Sequence, residues 1–292
     1  MSDSLRQKPL HIIFILISGV LWGTIGLYTT ALGKIGLDSV SVTAVRSLLT
    51  AVMLGIFLLF TDRKLFQPRW RDLWAFFGMG VVSFSFFNIC YFQSMRYNSL
   101  GTACILLYTA PVFVTLLSVV LFREKITPVK LLCLALAVGG CALVSGGGAM
   151  TGRGFLFGIC SGFGYALYSI FSVYALRRNH FFTAIFYAFV LAAVCLAPFC
   201  DWKAVAAAVS SDYQAGLWLI GMALFTTVLP YILYTCGLKT VPAGEASVIA
   251  CVEPLVANLL GIVVFAQTPT LASAVGIALI LVAVAALGLS KK

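Results

Sequence analysis

Two ionisable side chains, Glu253 and Arg46, lie inside long apolar stretches, where charged residues are rare and usually functional. Glu253 falls about nine residues into its stretch, which is near the middle of a bilayer if the stretch crosses one. A carboxyl at that depth must face protein or water rather than lipid. Three roles are open for it: reversible proton binding that is coupled to the movement of a solute, binding of a cation or amine, and a structural hydrogen bond to a neighbouring helix.

Arg46 lies about seven residues into another apolar stretch. Its planar guanidinium could hold the carboxylate of a solute through two parallel hydrogen bonds. Alternatively, the long side chain extends its charge towards the membrane surface or ties two helices together.

Aromatic side chains that carry polar atoms follow one face of a predicted helix. Phe84, Phe87, Asn88 and Tyr91 have the spacing i, i+3, i+4 and i+7 that brings side chains onto one side of a helix. Such a face suits a cavity for an amphipathic solute, although aromatic residues also collect near lipid headgroups. The candidate substrate-binding residues are Trp22, Arg46, Phe87, Asn88, Tyr91, Tyr108, Tyr165, Tyr168, Tyr231, Tyr234 and Glu253.

Pro111 and Pro254 each fall within a predicted helix, where a proline removes a backbone hydrogen bond and can bend the chain. We predict that both prolines, with Glu253, take part in gating or coupling; bends that serve only packing are the alternative. The sequence shows no nucleophile–base pair, phosphate loop or metal-ligand spacing, so we expect no enzyme activity, metal or cofactor.

These residues belong to a very apolar chain of 292 residues, with 62% hydrophobic and 10% charged residues and a mean hydropathy of +1.07. So little polar surface excludes a soluble protein, and solid apolar blocks favour helices over a membrane β-barrel. The net charge of +10 lies in short loops rather than on one polar face, so nucleic-acid binding is not expected. We predict ten membrane-spanning helices at about 10–32, 39–60, 72–95, 100–122, 128–145, 153–176, 181–200, 215–238, 244–266 and 271–289.

The sequence contains an internal repeat. Tyr91 and Pro111 recur as Tyr234 and Pro254, each 143 residues later (254 − 111 = 143). The repeat predicts two five-helix halves, residues 1–147 and 148–292.

Loop charge predicts the orientation. With both termini in the cytoplasm, the predicted inside loops hold 14 Lys and Arg residues and the outside loops hold 4. Because five is an odd number, the second half enters the membrane upside down relative to the first. Inverted-topology repeats of this kind are typical of secondary transporters.

Several motifs now point to one family. They are "SGVLWGT" at Ser18–Thr24, the arginine at Arg46, "LLYTAPVFVTLLSVVLFREKIT" at Leu106–Thr127 and "CVEPLVANLLGIVVF" at Cys251–Phe265. With the five-plus-five duplication, the chain resembles the drug/metabolite transporter superfamily, in its ten-helix EamA-like branch. The resemblance implies an inner-membrane permease that works by alternating access around a central cavity and moves amino acids, related metabolites or toxic organic solutes. Glu253-Pro254 matches the family's Glu-Pro pair, whereas Ala110 precedes the equivalent Pro111.

The sequence analysis therefore predicts an exporter of amino acids or related small metabolites. An exporter of cationic or amphipathic drugs, and a membrane sensor or scaffold of transporter descent, are the alternatives. The expected partners are a small-molecule substrate, the lipid bilayer and a proton as candidate coupling ion, in a monomer or weak homodimer.

Overall fold

The computed structural model describes residues 2–266, 268 and 270–289, and these residues form helices with no strand among them. Lys291 and Lys292, which enter the comparison of loop charges, lie outside the described residues. The α-helices are α1 Ser2–Gly23, α2 Ile25–Lys34, α3 Ser39–Thr61, α4 Leu73–Phe77, α5 Phe86–Tyr97, α6 Leu100–Leu107, α7 Ala110–Phe122, α8 Pro128–Ser145, α9 Gly152–Leu176, α10 Phe181–Leu196, α11 Trp202–Ser211, α12 Tyr213–Ala223, α13 Leu229–Gly237, α14 Ala243–Ile249, α15 Val252–Phe265 and α16 Leu271–Leu289.

Within the described part of the chain, nine helical segments are long and apolar enough to cross a membrane. They are Gln7–Lys34, Ser39–Thr61, Trp70–Tyr97, Leu100–Phe122, Pro128–Ser145, Gly152–Leu176, Phe181–Phe199, Tyr213–Gly237 and Ala243–Phe265. The tenth predicted span corresponds to a shorter apolar helix, Leu271–Leu287. The all-α membrane fold is confirmed, and the count of ten spans stays a prediction.

Side chains that accept backbone hydrogen bonds fix where several helices begin. The Asp38 carboxylate accepts hydrogen bonds from the amides of Val40 and Ser41 at the start of α3. Thr127 and Thr151 accept similar hydrogen bonds at the starts of α8 and α9. These side chains satisfy amides that have no partner within the helix.

The sequence analysis placed α11 in a loop. Its 10 residues are too few to cross a bilayer, so a search for long apolar blocks passes over it. An Asp201 carboxylate oxygen accepts a hydrogen bond from the Ala204 amide at 3.0 Å and starts the helix, which consists mainly of alanine and valine.

Two spans are interrupted at positions that are equivalent in the repeat. The helix ending at Leu107 resumes at Ala110, and the helix ending at Ile249 resumes at Val252. Both resumed helices end at a left-handed residue, Arg123 with φ 54° and Ala266 with φ 51°. The third span of each half also contains a π-helical segment, Gly78–Ser85 and Leu224–Val228.

The halves pack against each other reciprocally. Helix α1 contacts α13 and α15, and its counterpart α9 contacts α5 and α7. The second spans meet through α3 and α10, and the fifth spans meet through α8 and α16. The main hydrophobic core therefore lies between the two halves rather than inside either one.

Candidate functional site

A cavity lies between α1, α7, α9, α13 and α14, so helices of both halves form its wall. The cavity is narrow in this conformation: the volume open to the centre of a water molecule is about 20 Å³, enough for about one water. Six of the predicted site residues line it: Trp22, Pro111, Tyr165, Tyr168, Tyr231 and Tyr234. The Ser169 and Ser247 hydroxyls and the Ala110 methyl group are also in the wall.

Three tyrosine rings, those of Tyr165, Tyr168 and Tyr234, lie around Trp22 and Tyr231 in the wall of this cavity. The Trp22 ring centroid is 5.2 Å from that of Tyr231, 5.3 Å from that of Tyr234 and 6.3 Å from that of Tyr165. The Tyr168 and Tyr231 centroids are 4.8 Å apart. Edge-to-face arrangements at these distances are favourable and leave ring faces directed at the cavity.

Hydroxyl groups fix the orientation of two of these tyrosines. The Tyr168 and Thr235 hydroxyls are 3.0 Å apart, and the Tyr234 and Ser169 hydroxyls are 2.8 Å apart. Because these hydroxyls are paired within the protein, the surface offered to a solute is mainly aromatic. It suits apolar or delocalised groups.

The Glu253 carboxyl lies beside the cavity and is held by phenols. The Tyr165 hydroxyl donates a hydrogen bond to Glu253 Oε2 at 3.3 Å, and the Tyr108 hydroxyl also interacts with this carboxyl. Among the side chains that the structure describes, no basic nitrogen lies within 4.0 Å of it. The bond to Tyr165 is a link between helices, and an unpaired carboxyl at this place can also bind a proton or an amine.

Arg46 lies outside the cavity wall, buried behind Tyr231. Its Nη2 donates a hydrogen bond to Asn88 Oδ1 at 3.0 Å, which joins the second and third spans. Its guanidinium carbon is 5.1 Å from the centroid of the Phe84 ring, and Phe84 contacts Tyr231 with centroids 5.8 Å apart.

The remaining predicted residues form a second layer around the cavity. Phe87 packs against Tyr165 with centroids 5.2 Å apart, and the Tyr91 hydroxyl is 3.0 Å from the Cys104 thiol. Pro254 is buried in the first turn of α15, whereas Pro111 reaches the cavity wall. The predicted set is thus brought to one region, with six members in the wall and the others behind it.

Close helix packing surrounds the site. A Cβ atom on Gly23 would lie 2.8 Å from the Glu253 carbonyl oxygen, and one on Gly162 would lie 2.7 Å from the Leu106 carbonyl oxygen. These glycines let α1 and α9 approach the helices that carry the two prolines.

A cluster of charges lies at the start of α14, whose first turn contains Glu245, and the local sequence does not indicate it. Glu245 lies between Lys8 of α1 and Lys130 of α8, with N–O distances of 3.0 and 2.9 Å. A Glu124 carboxylate oxygen accepts a hydrogen bond from the Ala243 amide at 3.2 Å. The cluster therefore joins the first half to the second at one end of the bundle.

Comparison with known proteins identifies the family. The profile of the EamA-like transporter family matches residues 9–146 and 152–289, which is nearly the whole chain. The chain belongs to the EamA-like transporter family. It is therefore a multi-pass membrane transporter of the drug/metabolite transporter superfamily, as its motifs suggested.

Relatives of this EamA-family transporter carry similarly general names. An uncharacterized transporter of Archaeoglobus fulgidus is 32% identical over 271 residues, covering 92% of this chain and 93% of the relative. The uncharacterized transporter YxxF of Bacillus subtilis is 26% identical over 290 residues, covering 96% of this chain and 89% of the relative. A crystal structure with a TM-score of 0.79 and 18% identity covers 94% of this chain and 95% of its own, and supports the fold alone.

Proposed function

We propose that this EamA-family transporter exports amino acids or related small metabolites across the inner (plasma) membrane by alternating access. The observation that carries the proposal is the aromatic cavity between the two halves, with the Glu253 carboxyl beside it. Ring faces accommodate an apolar side chain, and an unpaired carboxyl accommodates an amine.

Alternating access requires two halves that can exchange conformations, and the proposal includes ten spans in two inverted five-helix repeats. Reciprocal packing, the two interrupted spans and the two left-handed helix ends support an arrangement of this kind. The excess of Lys and Arg in alternate loops supports cytoplasmic termini.

Efflux from proteoliposomes tests the proposal. Purified protein is reconstituted, vesicles are loaded with one radiolabelled amino acid at a time, and release is compared with protein-free vesicles. We expect faster release of at least one amino acid with an apolar side chain. Trp22→Ala should abolish this release, because it removes the ring at the centre of the cavity. Trp70→Ala is the matched control, since Trp70 is 72% exposed.

Release no faster than from protein-free vesicles, for every amino acid, would reject amino-acid export. A proton as coupling ion adds a second condition to the same assay. An imposed pH gradient should change the rate for the wild type and not for Glu253→Gln. Equal responses of the wild type and Glu253→Gln to the pH gradient would show that Glu253 does not take part in proton coupling.

Export of cationic or amphipathic drugs is the second candidate. It is favoured by a carboxyl without a cationic partner next to aromatic rings, which is the environment that holds organic cations. Cells that express the protein would then survive higher concentrations of quaternary amines, and Glu253→Gln would remove this resistance. Unchanged resistance in Glu253→Gln would reject the candidate.

A further inference from the structure

Arg46 is a buried cation with no acidic partner among the residues that the structure describes. Arg46 is only 5% exposed, and no described carboxylate lies within 4.0 Å of the nitrogens of its guanidinium. One of its donors, Nε, has no hydrogen-bond partner among the described atoms. An unpaired charge in the interior of a membrane protein is strongly unfavourable, so this guanidinium calls for an anion.

Thr227 is a second unsatisfied polar group in the same region. It is fully buried in the π-helical segment Leu224–Val228, which packs against α3, and its hydroxyl has no partner in the described part of the chain. Its neighbour Thr226 is equally buried, yet the Thr226 hydroxyl donates a hydrogen bond to the Met222 carbonyl oxygen at 2.7 Å. Only one of these adjacent threonines therefore has a free hydroxyl.

The internal repeat predicts that Thr227 lies close to Arg46, since the segment Leu224–Val228 packs against α3. The counterparts of Arg46 and Thr227 under the 143-residue offset (189 − 46 = 143, 227 − 84 = 143) are Phe189 and Phe84. Phe189 and Phe84 are in direct contact, with centroids 5.0 Å apart. The Arg46 guanidinium lies over the Phe84 ring and interacts electrostatically with Tyr231. Tyr231 is one helical turn beyond Thr227 in the sequence.

Tyr231 connects this region with the cavity. One side of its ring lies in the cavity wall against Trp22, and another side contacts Phe84, on which the Arg46 guanidinium lies. Glu253 interacts electrostatically with the same tyrosine. The Arg46 cation and the Glu253 carboxyl thus both interact with Tyr231. This arrangement matches a solute that carries one negative and one positive group.

We propose that Arg46 and Thr227 form a carboxylate-binding subsite behind Tyr231, next to the aromatic cavity. The guanidinium supplies charge and the Nε–H donor, and the Thr227 hydroxyl supplies a further donor. The identity of the ligand as a transported amino acid rests on the proposed function. An inorganic anion such as chloride offers related chemistry, and the test distinguishes the two sources.

The test measures thermal unfolding of the purified, detergent-solubilised protein during titration with L-phenylalanine or L-leucine. The same titrations use phenylalaninamide and leucinamide, which lack the carboxylate, and sodium chloride at matched ionic strength. A ligand that binds the native state raises the unfolding temperature. We expect an amino acid to raise it at concentrations at least tenfold lower than its amide requires.

Thr227→Val removes the hydroxyl and keeps the shape of the side chain, and Thr226→Val is the matched control. We expect Thr227→Val to weaken the amino-acid effect about ten- to hundredfold, as for the loss of a hydrogen bond to a charged group. Thr226→Val should leave it unchanged, since its hydroxyl is already bonded within its own helix. Arg46→Gln should remove the effect, and Thr227→Val tests the subsite even if Arg46→Gln does not fold.

Four results would overturn the subsite. They are equal stabilisation by amino acid and amide, stabilisation by chloride to the same extent, equal effects of Thr226→Val and Thr227→Val, and no stabilisation by any probe. Failure of the subsite with intact amino-acid efflux leaves the proposed function standing. Carboxylate-dependent stabilisation without efflux of any amino acid supports the subsite and rejects the proposed export.

Discussion

Replacing Glu245 by glutamine removes the charge at the centre of a cluster in which Lys8 and Lys130 lie 3.0 and 2.9 Å from its carboxylate oxygens. Lys8 and Lys130 belong to the first half and Glu245 to the second. Any movement that separates α14 from α1 and α8 at this end must break both ion pairs. The pairs therefore stabilise a conformation that is closed at the Glu245 end.

The degree of burial sets the expected magnitude. The Glu245 side chain is 7% exposed, whereas the Lys8 and Lys130 side chains are 22% and 19% exposed. Exposed pairs contribute about 0–1 kcal/mol and removing one partner of a buried pair costs about 3–5 kcal/mol. We expect a loss of about 1–3 kcal/mol for Glu245→Gln, which changes the ratio of open to closed molecules by about 5- to 150-fold.

Cysteine labelling measures this ratio. The nine native cysteines are replaced, and Ser247→Cys places one thiol in the cavity wall, where the serine is 8% exposed. The rate of reaction with a maleimide then reports how often the cavity opens. Glu245→Gln should raise this rate several-fold or more and lower the unfolding temperature.

Lys125→Gln is the matched control, because Lys125 lies at the same end and makes no ion pair in the described part of the chain. It should leave the labelling rate close to that of the parent protein. An unchanged labelling rate and an unchanged unfolding temperature in Glu245→Gln would refute the idea that these pairs hold the end closed. So would an equal rise in Lys125→Gln.

Two further predictions concern the scaffold. A Cβ atom on Gly80 would lie 2.0 Å from the Ala188 carbonyl oxygen, so Gly80→Ala should destabilise the protein by about 1–3 kcal/mol in thermal or denaturant unfolding. A Cβ atom on Gly139 would meet no described atom within 4 Å apart from its chain neighbours and its own helix backbone, so Gly139→Ala should be neutral or stabilising by up to about 1 kcal/mol. Similar losses of stability in both variants would contradict the packing argument. Although partial burial by itself raises the pKa of Asp38, hydrogen bonds at the start of α3 outweigh it and hold that pKa below its usual value. The stabilisation from ionised Asp38 is therefore present at neutral pH and is lost as the pH falls through the lowered pKa. The difference in unfolding temperature between the wild type and Asp38→Asn should shrink below about pH 4. A difference that stays constant with pH would contradict this prediction.

The sequence predicted the helical membrane fold because apolar blocks of the length of a bilayer leave few alternatives. It also led to the family, because the repeat and the motifs extend over most of the chain. The regular spacing of Phe84, Phe87 and Tyr91 predicted that these side chains share one helix face, because periodicity is a local property that a single sequence records.

Other features could not be predicted because they depend on which helices become neighbours. The partners of Glu245 are 237 residues away in Lys8 and 115 residues away in Lys130 (245 − 130 = 115). Nothing in the local sequence of α14 indicates them. The sequence likewise does not distinguish Thr226 from Thr227. Only the structure shows that the Thr226 hydroxyl is hydrogen-bonded and that the Thr227 hydroxyl has no partner among the described residues.

Ala110 and Glu253 are counterparts in the repeat (253 − 110 = 143), and only one of them is acidic. In the proposed inverted arrangement, identical halves would make the outward and inward half-cycles equally fast. With the acid on one half alone, the half-cycles differ in rate. The concentration ratio at which net flux stops is unaffected, because it is fixed by the free energy of the solute on each side and by any ion that moves with it. Accumulation against a gradient therefore requires a coupled driving force, such as an ion or an exchanged solute, whereas the asymmetry alone makes the carrier faster in one direction.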